Sequence, residues 1–322
     1  MMIELLWGGS ISAADGFSSP PVDDRLLEMA AALAREACAR VGLRCDDLQP
    51  MRLHSSGVFR LPRQHVVVRV SGGADATGRA GRAVAVTRWL AGLGYPTVVP
   101  VAELTQPVVL TDSDGAASAV TFWHEIDIEP GPVSPGDLGI LLRRLHDLSR
   151  PSLELPMFRP LDRLVEVTQS SPWLGESDRR WLTGRVAELQ LALATATFGL
   201  GPSGLVHGDG QLGNVIRAAG GSVVLADWDG VAIAPREWDL VPMALEERFG
   251  GSPELVGELV TAYDADPIRA EGWAVLCDIY ELRSVAAHIR RAPVSVPHAV
   301  EAARRIASLR SGDRGVRWYP VG

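Results

Sequence analysis

The sequence predicts an α+β protein in two parts: a small N-terminal part built on a sheet and a larger, mainly helical C-terminal part. Three observations carry this. The chain has 322 residues, room for two domains at roughly 150 residues each. Residues 1–124 alternate helical patterns with paired strand-like runs. From residue 125 to residue 322 helical periodicity dominates, and strand-like runs shrink to three short pieces that carry polar motifs.

In chain order, Leu26–Val41 has apolar positions at helical spacing and few breakers, so it reads as an opening amphipathic helix. Val58–Leu61 and Val66–Val70 are β-rich runs joined by Pro62-Arg63-Gln64-His65, a hairpin connection. Gly72–Gly81 reads as a glycine-rich loop leading into a helix around Arg82–Leu93, with Gly94 at the C-cap and Pro96 preventing continuation. Strands at Pro107–Leu110 and Ala119–His124 flank Asp112-Ser113-Asp114-Gly115 and complete the first part. Glu125–Pro135, with three prolines and a glycine, reads as a linker. Helical patterns then cover Asp137–Leu148, Leu161–Thr168, Glu176–Ala196, Glu254–Tyr263, Glu271–Arg291 and His298–Leu309. The strand-like pieces between them are Gly204–His207, Asn214–Arg217 and Ser222–Ala226, and Tyr319–Gly322 reads as a loose tail.

Composition excludes several classes of function. Hydrophobic content of 47% and charged content of 22% are those of an ordinary soluble globular protein. No apolar run approaches the roughly 18 residues of a membrane span, and Met1–Gly9 lacks a signal peptide's basic start. Cys38, Cys45 and Cys277 form neither a CxxC pair nor a metal cluster, so a reduced, cytoplasmic setting is expected. A net charge of −8 disfavours nucleic acid as a partner and suits a neutral or cationic small molecule. All 31 basic Lys+Arg residues are arginine. A lysine-free chain can contain neither the P-loop signature nor a Schiff-base lysine.

The chemistry concentrates in Leu205–Asn214 and Val223–Asp229, where acidic residues and an asparagine follow apolar strand-like runs. Loop carboxylates held by rigid strands suit metal-assisted or general-base chemistry. Gly208-Asp209-Gly210-Gln211-Leu212-Gly213 also matches the dinucleotide pattern GxGxxG. That fingerprint must open a helix inside a βαβ unit. Here only a short run and Gly220-Gly221 separate Asn214 from Val223, which makes a hairpin and leaves no room for a crossover helix. The kinase catalytic loop, H-x-D-x-x-x-x-N followed by a strand bearing a metal-binding Asp, fits better. His207, Asp209 and Asn214 have that spacing, and Asp227 stands after the next strand.

With HGDxxxxN at His207–Asn214 and Asp227-Trp228-Asp229 beyond it, the chain resembles the aminoglycoside phosphotransferase family. The resemblance extends to Leu145-His146 and to Pro235-Arg236-Glu237-Trp238-Asp239-Leu240. It implies a protein-kinase-like two-lobed fold, with a nucleotide-binding lobe over residues 1–124 and a helical lobe with the acceptor site over residues 125–322. By the same resemblance Asp209 would accept or orient the proton of an acceptor hydroxyl. Asn214 and Asp227 would hold Mg²⁺ against the phosphates of ATP or GTP. His207 and Asp239 would support the loop, and Asp229 would lie at the metal or just behind it.

The phosphate-binding side departs from the kinase pattern. Arg69 stands where a kinase has its strand lysine, and Ala83 where the partner glutamate is expected. Either another carboxylate orients Arg69 or the nucleotide alone holds it. The nucleotide loop, Ser55-Ser56-Gly57, is short, and Phe122–Ile126, including Glu125, falls at the hinge where backbone groups would bind the base. For a cationic acceptor the acidic candidates are Glu246, Glu247, Asp278 and Glu281. The implied activity is O-phosphoryl transfer to a hydroxylated small molecule, an antibiotic first, by a monomer or homodimer. A kinase of an amino alcohol, sugar or homoserine-like metabolite is the alternative. A nucleotide-binding pseudokinase, motivated by Arg69 and Ala83, and a metal-dependent hydrolase are the rivals.

Overall fold

The computed structural model describes residues 24–53, 56–73, 75–111 and 116–321. Helix α1 (Asp24–Arg40) precedes strands β1 (Gln49–Leu53), β2 (Ser56–Leu61) and β3 (Val66–Ser71). Helix α2 (Ala76–Gly92) and strands β4 (Val108–Thr111) and β5 (Ala117–His124) complete this lobe. The five strands form one antiparallel sheet in the order β1-β2-β3-β5-β4. Alternation along β3 sorts its side chains. Val66, Val68 and Val70 join Phe59, Leu61 and Phe122 in a cluster under Ala34, Ala37 and Cys38 of α1. Val67 belongs to the other cluster, on the face toward the second lobe, and the same alternation puts Arg69 on that face.

The second lobe contains α3 (Pro135–His146), α4 (Asp162–Ser170), α5 (Glu176–Thr195) and the short α6 (Val241–Ala244). Helices α7 (Glu254–Tyr263), α8 (Glu271–Arg283), α9 (Val285–Arg291) and α10 (Val296–Ser311) follow. Two small antiparallel pairs carry the motifs. Strand β6 (Gly204–Val206) pairs with β9 (Ala232–Ala234), and β7 (Val215–Arg217) with β8 (Val223–Leu225). The second pair is the hairpin that displaced the dinucleotide reading. It also ties the lobes together, because Val98 N–H donates to Leu225 O at 3.3 Å and Leu225 N–H to Pro96 O at 3.0 Å.

Four expectations need correction. The glycine-rich stretch is helical from Ala76 onward, since Ala76, Ala80 and Ala83 bury at helical spacing and Ala76 and Ala80 pack with Ala119 of the sheet. Strands β1 and β9 have no apolar alternation long enough to announce them. The pattern Glu271–Arg291 is two helices. Ser284 divides them, with its hydroxyl donating to Glu281 O at 2.7 Å and its carbonyl receiving Arg305 at 3.4 Å. The C-terminus is anchored through Trp318, which is buried, and Tyr319, whose N–H donates to Glu301 at 2.8 Å. The Asp112–Gly115 turn lies outside the described residues. Among the described residues no helix is long and apolar enough to cross a membrane.

Between α9 and α10 the two buried imidazoles His288 and His298 meet Nδ1 to Nδ1 at 3.0 Å, so one donates and the other accepts. Burial first, then Arg305, His298 and Arg291, push the His288 pKa down from 6.5 to about 3. The unfolded chain therefore takes up the proton first as pH falls. The pair's stabilisation is complete above about 6.5 and drains away toward pH 3. Unfolding free energy should fall by up to about 2 kcal/mol between pH 7 and pH 5 from this pair, less where solvent screens it, and His288→Gln should flatten that slope in urea titrations.

Candidate active site

Two glycines hold the loop after β6 in place, each because a backbone segment occupies the space a side chain would need. Gly208 has φ +86°, and a Cβ there would lie 2.0 Å from Gly230 O. A Cβ on Gly210 would lie 2.0 Å from Asp239 O. The loop is thus pressed between the Asp227–Gly230 turn on one side and the Arg236–Asp239 turn on the other.

Asp239 anchors it electrostatically. This carboxylate has no exposed surface and accepts from His207 N–H and Gly208 N–H, both at 2.7 Å. His146, at the end of α3, adds a third bond from Nε2 at 3.0 Å. Tyr263 of α7 then donates its hydroxyl to His146 Nδ1 at 2.8 Å, which fixes the tautomer. His207 itself is fully buried, with Nε2 donating to Ala226 O at 2.9 Å and its ring edge-on to Trp228. Its Nδ1 has no hydrogen-bond partner among the described residues.

The bracing leaves Asp209 half-buried at the loop's tip. Its Oδ2 accepts from Gln211 Nε2 at 2.9 Å and Asn214 Nδ2 at 3.0 Å. Burial, the largest effect, raises the Asp209 pKa; His207, the Asn214 bond and Arg283 pull it down, while Asp227 pushes it up. Asn214 is buried and also donates Nδ2 to Asp209 O at 2.9 Å. With both amide hydrogens committed to Asp209, its oxygen is the remaining ligating atom.

Arg69 reaches across from the sheet to the turn after β8. Its guanidinium meets Asp229 through two bonds, at 2.8 and 2.9 Å, and Asp227 through one, at 3.0 Å, while Nε approaches the Ser56 hydroxyl at 3.3 Å. The partner of Arg69 is therefore the Asp-Trp-Asp segment, and Ala83 of α2 is buried core. Asp227 sits at φ 64°, in the left-handed region that turns the chain sharply after the strand. Ser56 and Gly57 belong to β2, paired with Ser71 and Val70, and Ser55 lies outside the described residues.

Other sites predicted from sequence fall elsewhere. The Glu125 carboxylate pairs with Arg60 and lies 3.5 Å from His65, and its N–H donates to His65 O at 2.8 Å. Glu281 is buried in a paired-fork ion pair with Arg248 at 2.9 and 3.2 Å. Asp278 is bound by Arg185 at 2.9 Å and Arg314 at 2.6 Å. Both tie one face of α8 to its neighbours through ion pairs. Glu247 is exposed, and Glu246 is half-buried, its pKa raised by burial. Sequence reasoning missed Tyr280 and Arg283, whose side chains pack against Trp238, the neighbour of Asp239. Their only signal was the helical spacing of Tyr280 and Arg283.

Among the described residues no three His, Cys, Asp or Glu side chains are grouped to hold a metal unaided. A magnesium ion takes one or two protein oxygens and completes its shell with phosphate and water. Asn214 Oδ1 and the half-exposed Asp227 carboxylate fit that demand. Replacing the anchor by Asp239→Asn would turn an N–H toward the loop amides. Stability should drop by about 3 kcal/mol in denaturant titration, with loss of activity.

The model of the Phosphotransferase enzyme family (APH) matches residues 54–276. No curated protein matches the chain in sequence. Among solved structures, an aminopropanol kinase associated with a microcompartment superposes with TM-score 0.67 at 17% identity, covering 89% of this chain and 99% of its own. An amicoumacin kinase in complex with AMP-PNP and Ca²⁺ gives TM-score 0.66 at 13% identity, covering 92% and 96%. A choline kinase from Streptococcus pneumoniae gives 0.60 at 14%, covering 87% and 99%. At such identities the likeness establishes the two-lobed kinase-like fold, and the family match spans both lobes. The chain belongs to the phosphotransferase enzyme family and is a small-molecule kinase, a phosphotransferase acting on hydroxyl groups.

Proposed function

We propose that this kinase moves the γ-phosphoryl group of ATP or GTP to a hydroxyl of a small molecule, with Asp209 positioned to take or orient the hydroxyl proton. The observation that carries the reading is the convergence of Asp209, Asn214, Asp227 and Arg69 in one cleft from both lobes. Solved neighbours contain AMP-PNP, ADP or GDP, which supports a nucleoside triphosphate donor. Both antibiotic and metabolite kinases stand among them, so an antibiotic and an amino-alcohol-like metabolite are the two acceptor classes to test.

Phosphoryl transfer passes through a loose, highly charged transition state, so positioning and cations supply most of the catalysis. Asn214 holds the Asp209 carboxylate in one rotamer and presents its own oxygen to the cation. A bound Mg²⁺ would offset charge on the β- and γ-phosphates. Asp227 would be its carboxylate ligand. Asp229 does for Arg69 what a helix glutamate does for a kinase lysine: two parallel bonds fix the guanidinium plane. The single bond to Asp227 is then the one a nucleotide phosphate and cation would exchange.

The first experiment incubates the protein with Mg²⁺-ATP or Mg²⁺-GTP and a panel of antibiotics and amino alcohols, reading acceptor mass. A phosphate adduct is expected, and Asp209→Ala should remove it while nucleotide affinity stays within several-fold. Nucleotide binding with no adduct on any acceptor would favour a pseudokinase, and turnover retained in Asp209→Ala would remove that residue from its role. In the same assay Asp227→Ala should weaken Mg²⁺-dependent nucleotide binding. Asp229→Asn, which loosens Arg69, should raise KM for ATP about tenfold, roughly 1.4 kcal/mol, with a smaller effect on the Mg²⁺ requirement.

A further inference from the structure

Arg283, in the last turn of α8, stands apart from the other guanidiniums around the cleft. Its Cζ lies 5.1 Å from the centroid of the Trp238 ring and 5.3 Å from that of Tyr280. Those rings are inclined 58° to each other, and with Phe158, edge-on at 4.6 Å from Trp238, they form an aromatic platform of edge-packed rings. Trp238 directly precedes Asp239, whose backbone packs against Gly210 of the catalytic loop, so the platform adjoins that loop. Yet no described residue accepts a hydrogen bond from Arg283, and no described carboxylate pairs with it, whereas Arg69, Arg185, Arg248 and Arg305 all have such partners.

A half-buried guanidinium held over two rings has lost part of its hydration and, with no acceptor among the described residues, keeps its donors free. That geometry suits an oxyanion approaching in the plane of the fork. The transferred phosphoryl group approaches from the nucleotide side, where Arg69 already stands. Arg283 ends α8 of the helical lobe, beside the turn that packs against the loop carrying Asp209. We propose that Arg283, on the Trp238–Tyr280 platform, binds an anionic group of the acceptor, a carboxylate or phosphate ester close to the hydroxyl that is phosphorylated. The proposal rests on the kinase reading above and favours, among the acceptors named there, one that carries an anionic group.

The test uses acceptor pairs that differ only in a carboxylate: threonine against 1-amino-2-propanol, serine against ethanolamine, homoserine against 3-aminopropanol. Binding to the full-length protein saturated with Mg²⁺-AMP-PNP is measured by calorimetry, with phosphorylation followed in parallel with Mg²⁺-ATP. The carboxylate member of at least one pair should bind tenfold or more tightly. Arg283→Gln should reduce that ratio below threefold while AMP-PNP affinity stays within twofold, and Arg283→Lys should retain part of it. Equal or tighter binding of the amino alcohols, or no binding by any carboxylate member, overturns the proposal. So does an Arg283→Gln variant that slows all acceptors alike and raises KM for ATP, which would place Arg283 on the transferred phosphoryl group. Failure of the wild-type protein to bind Mg²⁺-AMP-PNP would instead strike the kinase reading itself.

Discussion

One buried carboxylate sets the geometry on which the cleft depends. Asp239 has no solvent and no full counter-charge; two backbone amides and one imidazole Nε2 compensate it. Leaving any of those bonds unmade would cost on the order of 1–3 kcal/mol in a dry interior, so the loop has little freedom to move away. The same carboxylate joins elements distant in sequence: α3 through His146, α7 through Tyr263 and the catalytic loop through His207. Gly208 and Gly210 are the steric counterpart, because only residues without a Cβ allow the loop to sit that close to Gly230 and Asp239. Asp209 is thereby presented from a backbone that is over-determined on both sides.

The absence of lysine has a structural consequence on the other wall of the cleft. An ammonium is a point charge that one helix carboxylate can orient, whereas a guanidinium is a planar fork that needs a partner in its own plane. Ala83 offers none and packs in the core instead. The turn after β8 supplies two, and the second aspartate of Asp-Trp-Asp takes the bidentate position. The orienting carboxylate has thus moved from the N-terminal lobe to the C-terminal one. The ion pair therefore spans the cleft, and the position of Arg69 reports how the lobes are set against each other.

Much of this was legible in the residues, for identifiable reasons. Long helices with strong periodicity, such as Glu254–Tyr263, needed no tertiary information, and the hairpin between Asn214 and Val223 followed from chain length alone. The His207, Asp209 and Asn214 spacing brought those residues together because a local loop holds them. The Arg69–Asp229 pair was not legible, since 160 positions separate its members and no spacing rule reaches so far. The glycine-rich stretch misled because local propensity favours a loop there, while burial of alanines against the sheet outweighs a cost of roughly 1 kcal/mol per glycine.

Helix α8 shows a subtler limit. Periodicity states which residues share a face but not which face meets the cleft. Asp278 and Glu281 share one face, Tyr280 and Arg283 nearly the opposite one, and the acidic pair looked like the ligand set for a cationic acceptor. Packing adds what periodicity could not: Arg185, Arg248 and Arg314 pair with the acidic face, while the other face carries Tyr280 and Arg283 against Trp238. The resulting electrostatics make sense of a strongly acidic protein that must accept an anionic donor. Asp209, Asp227 and Asp229 alone would repel a nucleoside triphosphate, and a cation bound there offsets only part of that field. Arg69, bound to both Asp227 and Asp229, is the cation the structure sets among them, so part of that field is compensated from the sheet side before any ligand enters.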